Sequence, residues 1–117
     1  MAFEIQNNEQ YTLVKVNSEK LDTNNAPDLK SELVVLNNNG VNNIVLDLSE
    51  CKYCDSSGLR AVLVGNRLCE DSIGAFILSG LQPDVETLIK ISMLHTVLLI
   101  TNTVKEAEEL LEKKESL

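Results

Sequence analysis

Residues 44–63 read IVLDLSECKYCDSSGLRAVL, and this stretch decides the fold. Its first part is a nearly continuous apolar run, which is typical of a strand that is buried on both faces of a parallel sheet. From Gly58 onward the chain continues as GLRAVLVGNRLCE and is apolar on several sides, like a helix packed deep against a sheet. We expect this helix to start at Ser56 or Ser57. The polar residues before it therefore lie at the carboxyl end of a strand, where ligands and reactive groups collect in α/β sheets.

The same alternation of strands and helices extends along the chain in both directions. Upstream, two short runs separated by the polar segment NNEQ predict an antiparallel hairpin, and Pro27 and Gly40 delimit a helix. Downstream, two further strands alternate with two helices, the last of which has Thr103 and Glu106 in capping-box positions. The runs are FEIQ (3–6), YTLVKV (11–16), GAFILSG (74–80), QPDVETLIKIS (82–92) and TVLLIT (96–101). They predict a single α/β domain over residues 1–117: a mixed, mostly parallel sheet of about four to five strands with an N-terminal antiparallel hairpin and about four helices.

The composition excludes several classes of function. The chain has 117 residues, of which 44% are apolar, and this suits one domain with a single core. The net charge of −8 opposes binding to nucleic acid, whose phosphates require clustered Lys and Arg. No apolar run approaches the roughly 20 residues of a bilayer span, and the N-terminus lacks a signal-peptide pattern. We therefore expect a cytoplasmic protein without membrane insertion, whose cysteines are reduced.

The hydroxyl groups of Ser56 and Ser57 have a simple structural explanation. A serine at the start of a helix accepts a hydrogen bond from a first-turn amide, which is worth about 1 kcal/mol. One cap needs only one hydroxyl, however, and Gly58 removes a side chain that would obstruct a bulky group near the backbone. A phosphoryl group on the first serine would meet free amides at the positive end of the helix. Its added charge would release a partner only if it lay inside the contact surface.

Two stretches of the chain resemble a known family, the STAS domains. IVLDLSECKYCDSSGLRAVL is similar to the family's strand, its Asp-Ser-Ser-Gly-Leu motif and the helix that follows. LDTNNAPDLKSEL (21–33) looks like the family's Leu-Asp loop and first helix. The resemblance covers nearly the whole chain, and among STAS domains it is to the stand-alone anti-sigma-factor antagonists of bacterial partner switching.

This resemblance implies a role for five residues. Ser56 matches the serine that an anti-sigma factor serine kinase phosphorylates with ATP and that a phosphatase restores. The unphosphorylated protein would bind the kinase and release its sigma factor, and phosphorylation would reverse the binding. Asp22, Asp55, Ser57 and Gly58 match positions near that serine, and we expect Ser57 to be a first-turn or capping hydroxyl. The chain would then be a substrate and no enzyme, with the kinase supplying the general base, and no cofactor or metal is implied.

The chain also departs from the family pattern at two places. The usual Gly-Glu before Leu-Asp is replaced in SEKLD (18–22), and we expect a different turn at Glu19 and Lys20. In ISMLH (91–95), Met93 stands where many relatives carry glycine, which is expected to alter the surface around the third helix and the choice of kinase.

Other functions compete with the partner switch. A STAS domain can instead be the regulatory subunit of an ABC-type lipid transport complex, because a fold alone does not identify the task. Cys51 and Cys54 form a C-x-x-C pair between a strand and a helix, which suggests a thiol oxidoreductase, although both sulfurs precede the first helical amides. A zinc site lacks paired ligands, and a Ser-His-Asp hydrolase would require His95 to reach one of the serines.

Overall fold

Seven strands and four helices make up the computed structural model, which describes residues 2–115. The strands are β1 Phe3–Asn7, β2 Thr12–Val16, β3 Lys20–Leu21, β4 Ile44–Asp47, β5 Tyr53–Cys54, β6 Phe76–Ser79 and β7 Leu99–Thr101. The helices are α1 Ala26–Asn38, α2 Ser56–Asp71, α3 Pro83–Ile91 and α4 Val104–Glu115, with a 3₁₀ turn at Leu94–Thr96. Within the described part of the chain, no helix is both long and apolar enough to span a bilayer.

Five of the strands form one mixed sheet in the order β1-β2-β4-β6-β7. Strands β1 and β2 are antiparallel, with Phe3 opposite Val16, whereas β2, β4, β6 and β7 run parallel. The predicted α/β class, the N-terminal hairpin and the mostly parallel sheet are therefore confirmed. The remaining strands, β3 and β5, form a separate two-stranded parallel sheet, which the sequence did not predict because each is only two residues long.

Helices cover both faces of the five-stranded sheet. On one face, Ile44, Leu46 and Phe76 belong to a core with the inner sides of α1, α2 and α3. On the other face, Val45 and Ile77 belong to a second cluster with Ala107 and Leu111 of α4. Since successive side chains of a strand point to opposite faces, a strand covered on both sides must be apolar at every position. This explains the continuous apolar run in residues 44–46.

The terminal helix α4 begins with the predicted cap. The amide of Glu106 donates to Oγ1 of Thr103 over 3.1 Å. The Glu106 carboxylate accepts in return from the amide of Asn102 over 2.8 Å, one residue earlier than in the usual capping box. The two bonds fix the entry to the helix that covers the second face of the sheet.

Candidate functional site

The two-stranded sheet brings two distant loops together at the start of α2. Leu21 of β3 pairs with Cys54 of β5, and the amide of Asp55 donates to the carbonyl oxygen of Leu21 over 3.2 Å. Asp22 follows Leu21 directly, so the loop that it opens lies beside the Asp-Ser-Ser-Gly segment. The preceding turn takes part as well, because the Glu19 carbonyl accepts from the amides of Lys52 and Tyr53 over 2.7 and 3.0 Å.

Asp55 is the N-cap of α2. Its backbone is extended, with φ −104° and ψ −172°, and its Oδ1 accepts a hydrogen bond from the amide of Gly58 over 3.0 Å. The helix begins at Ser56, one of the two predicted starts, and of the two roles expected for Ser57 it has that of a first-turn residue and not that of the cap. A cap side chain must come from the residue just before the helix in order to reach the third helical amide, and both serines lie inside the first turn.

The hydroxyl groups of Ser56 and Ser57 are left without a structural task. Ser56 is exposed, and Ser57 is partly buried. Among residues 2–115, neither hydroxyl has a hydrogen-bond partner, since Asp55 satisfies the amide that a serine cap would have bound. The Ser56 hydroxyl is therefore accessible from solvent, and no described residue is held in place by a hydrogen bond to its oxygen.

Gly58 is needed for packing rather than for access to the backbone. It is buried, and a Cβ atom at position 58 would lie 2.5 Å from both Cys54 Sγ and the Leu21 carbonyl oxygen. Both distances are shorter than real Cβ contacts. The expectation that Gly58 leaves room for a bulky group is thus wrong. The space beside its Cα atom is already filled by residues of β3 and β5.

The Asp22 loop is held by its own hydrogen bonds. Oδ1 of Asp22 accepts from the amide of Asn24 over 3.0 Å, and the Asp22 amide donates to Oδ1 of Asn25 over 2.9 Å. Nδ2 of Asn25 in turn donates to the Lys20 carbonyl over 2.8 Å. These bonds order the acidic loop next to α2 without using Ser56 or Ser57.

The two serines face different surfaces. Ser56 lies on a groove of about 470 Å³ between the start of α2 and α3. Ser57 lies on a smaller depression of about 220 Å³ on the α1 side, together with Lys30 and Arg60. The groove is lined by Tyr53, Cys54, Asp55, Ser56, Asp84, Thr87, Leu88 and Ile91. It thus contains two carboxylates and several apolar groups, but no Lys or Arg, whereas the depression contains two cations. This separation could not be predicted from the sequence, because it depends on the positions of α1 and α3.

The C-x-x-C pair has the wrong electrostatics for a redox dithiol. Burial raises the pKa of the Cys51 thiol, and burial together with the neighbouring Cys51 and Asp55 raises the pKa of Cys54 to about 12. The two thiols donate to the carbonyl oxygens of Tyr53 and Asp55 over 3.2 and 3.4 Å. A reactive cysteine needs a lowered pKa, so the geometry does not favour the oxidoreductase alternative.

Metal and triad chemistry gain no support from the geometry either. Across residues 2–115, no cluster of three or more His, Cys, Asp or Glu side chains is arranged to hold a metal ion. His95 is exposed in the 3₁₀ turn and does not line the groove that contains Ser56. The described residues therefore lend no support to a metal site or to a triad that includes Ser56.

Comparison with known proteins identifies both the family and the fold of this chain. The family model for the STAS domain matches residues 2–107. The chain is 32% identical over 79 residues to the candidate anti-sigma factor antagonist BtrV of Bordetella bronchiseptica. The aligned segment covers 68% of this chain and 68% of BtrV.

Solved structures agree with the family match. A candidate anti-sigma factor antagonist of Thermotoga maritima is 26% identical, with a TM-score of 0.85 over 94% of both chains. The anti-sigma factor antagonist SpoIIAA in its unphosphorylated form has the same fold at 19% identity, with a TM-score of 0.75 over 95% of this chain and 98% of the other. SpoIIAA of Bacillus is also known in a phosphorylated form, which matches with a TM-score of 0.73 at 19% identity over 93% of this chain and 99% of the other.

Proposed function

The chain belongs to the STAS domain family, and from this premise we propose that it is an anti-sigma factor antagonist controlled by phosphorylation of Ser56. In the unphosphorylated form it binds an anti-sigma factor serine kinase in the cytoplasm and thereby releases the sigma factor that the kinase holds. Phosphorylation of Ser56 by that kinase ends the binding, and a phosphatase restores it. The observation that carries the proposal is the exposed Ser56 hydroxyl, which has no structural role at the start of α2.

The fold can accept a phosphoryl group at this position. The hydroxyl of Ser56 makes no hydrogen bond with any described residue, so modification breaks none. The phosphoryl group would also stand at the N-terminal end of a 16-residue helix. The positive end of a helix favours a nearby anion by about 0.3–1 kcal/mol. Repulsion from Asp55 and Asp84 in the same groove opposes this gain, so we expect modification to leave the stability of the domain nearly unchanged.

The groove beside Ser56 explains how the phosphoryl group would release the partner. Asp55 and Asp84 already make this surface acidic, so a partner that fits it carries a basic face. A hundredfold loss of affinity requires about 2.7 kcal/mol. One charge pair about 10 Å apart in water supplies only about 0.4 kcal/mol. Because Ser56 lines the groove itself, its phosphoryl group would lie inside the contact surface, where repulsion and desolvation are much stronger.

The groove lining contains no His or Lys that could act as a general base for the transfer. Its two carboxylates are those of Asp55, which caps α2 through Oδ1, and Asp84 in the first turn of α3, and neither is hydrogen-bonded to the Ser56 hydroxyl. A general base must lie within hydrogen-bond reach of the proton that it removes. We therefore assign the base to the kinase, and to this chain the role of a protein substrate rather than an enzyme.

Two substitutions of Ser56 test the proposal. The protein is incubated with ATP and each purified anti-sigma factor serine kinase of the source genome, and the phosphorylated residue is mapped by mass spectrometry. We expect one phosphoryl group on Ser56 in the wild type and in the control Ser57→Ala, and none in Ser56→Ala. In titration calorimetry, Ser56→Ala should bind the kinase like the wild type, and Ser56→Asp at least tenfold more weakly.

Three results would contradict the proposal in different ways. Equal affinities of the wild type, Ser56→Ala and Ser56→Asp would show that charge at this position does not control binding. A phosphoryl group found on Ser57 alone would move the switch to the surface that contains Lys30 and Arg60. No phosphorylation by any of the kinases would favour the transporter-subunit alternative.

A further inference from the structure

Exposed apolar side chains continue from the Ser56 groove along the chain beyond α3. Ile91, at the end of α3, lines the groove and is 75% exposed. Met93 and Val97 follow within six residues and are 61% and 56% exposed. We call these three residues the apolar strip. Together with Tyr53 in the groove, they are four of the seven large apolar side chains that are exposed in the described part of the chain.

Met93 holds an unfavourable backbone conformation within this strip. Its φ is 61° and its ψ 15°, in the left-handed region, and its amide donates to the Lys90 carbonyl over 3.0 Å to end α3. Glycine is the usual residue at this position of a helix end, because it has no Cβ atom to clash. A methionine here costs stability and also exposes an apolar side chain to water.

The conformation of Met93 is not by itself evidence of function, because Ile73 shares it. Ile73 follows α2 with φ 59° and is 94% exposed, and its amide donates to the Glu70 carbonyl over 3.0 Å. Ile73 lies two residues beyond the end of α2 that is remote from Ser56, and the 16 residues of α2 span about 24 Å at 1.5 Å per residue. What distinguishes Met93 is its place in the chain, two residues after Ile91, which lines the Ser56 groove, and four residues before the exposed Val97.

We propose that the apolar strip is part of the docking face for the kinase and that the Met93 side chain is buried by the kinase in the complex. This inference rests on the proposed function. The partner must present an apolar pocket bordered by Lys or Arg, because the strip adjoins a groove with two carboxylates, Asp55 and Asp84, and no cation. The nearby cation Lys90 is already paired with Glu86 over 3.0 Å. A few side chains usually carry most of the binding energy of an interface, so the loss of one buried contact from this strip is expected to be measurable.

The matched pair Met93→Gly and Ile73→Gly tests this inference. Each substitution places glycine at a left-handed position after a helix and so removes the energetic cost of a Cβ atom there. The melting temperature of both variants should therefore rise by about 3 °C. In titration calorimetry with the purified kinase that phosphorylates the wild type, Met93→Gly should bind about tenfold more weakly, because the buried area of one side chain is lost. Ile73→Gly should bind like the wild type. Met93→Asn, which also tolerates the left-handed conformation, should lose binding to a similar extent.

The outcomes separate this inference from the function on which it rests. If Ser56→Asp releases the kinase but Met93→Gly and Met93→Asn bind it with wild-type affinity, the apolar strip is no docking surface and the inference alone fails. If Ile73→Gly weakens binding as much as Met93→Gly does, the effect is not local and the inference fails as well. If the wild type binds no anti-sigma kinase, the proposed function and this inference fail together.

Discussion

Replacement of Gly58 by alanine is the sharpest test of how the site is built. The new methyl group would lie 2.5 Å from Cys54 Sγ, 2.5 Å from the Leu21 carbonyl oxygen and 3.1 Å from Leu21 Cγ. The sulfur is a side-chain atom, but the carbonyl oxygen belongs to the backbone and already accepts from the Asp55 amide. It cannot move away without pulling β3 from its place beside α2.

The expected change in the free energy of unfolding is the sum of two opposing effects. Overpacking of a close contact costs about 1–3 kcal/mol. The higher helix propensity of alanine returns up to about 1 kcal/mol, and less in a first turn. We expect a net loss of about 2 kcal/mol in the free energy of unfolding, which lowers the melting temperature of a domain of this size by about 8 °C. Because the Asp22 loop would shift relative to Ser56, phosphorylation by the kinase should also slow at least tenfold.

Thermal denaturation followed by circular dichroism, together with a phosphorylation time course, checks both numbers. Arg60→Ala is the control on the same helix, because Arg60 is exposed and has no ion pair with a described residue; its melting temperature should stay within about 2 °C of the wild type. Cys54→Ala removes the sulfur with which the new methyl group clashes, so adding Gly58→Ala to the Cys54→Ala variant should cost about half as much as adding it to the wild type. A Gly58→Ala protein as stable as the wild type would refute the close packing of β3, β5 and α2.

Two further predictions concern the same region. Asp55→Ala should lose the cap of α2, which lowers the free energy of unfolding by about 1 kcal/mol and the melting temperature by about 4 °C. Asp55→Ser should keep most of this stability, because serine is also a good N-cap residue. Equal melting temperatures for the wild type and both variants would mean that the hydrogen bond from the Gly58 amide contributes nothing. The folded pKa of the Cys54 thiol is about 12, against 9.0 for a free thiol, so the unfolded chain loses this proton first as the pH rises. Stability should therefore be independent of this group below pH 9 and fall between pH 9 and about 12. Urea unfolding at pH 8 and pH 10.5 measures this loss of stability. Between these two pH values the free energy of unfolding should fall less in Cys54→Ala than in the wild type, and an equal fall in both proteins would contradict the raised pKa of the Cys54 thiol.

The order of elements could be predicted from the sequence because hydrophobic periodicity is a local signal. The apolar segment IVLDL (44–48) is too short for a helix, whereas the helical pattern after Gly58 extends over more than ten residues, so their lengths distinguish a buried strand from a buried helix. The same holds for the capping box at Thr103 and Glu106, whose two partners are three residues apart. The motif around Ser56 could be located for this reason too, as a segment between one predicted strand and one predicted helix.

The construction of the site could not be predicted, because it depends on contacts between residues far apart in the chain. Strands of two residues carry no periodic pattern, yet the pairing of Leu21 with Cys54 places the Asp22 loop beside α2 and leaves no room for a side chain at Gly58. Whether Asp55 or a serine caps α2 depends on which residue begins the helix, and the sequence pattern does not place a helix start to a single residue. The α/β fold could therefore be predicted from the sequence alone, as could the position of the Asp-Ser-Ser-Gly segment between a strand and a helix. Only the tertiary structure decided that Ser56 lies on an acidic and apolar groove and Ser57 on a basic depression, because α3 and α1 pack on opposite sides of one helical turn.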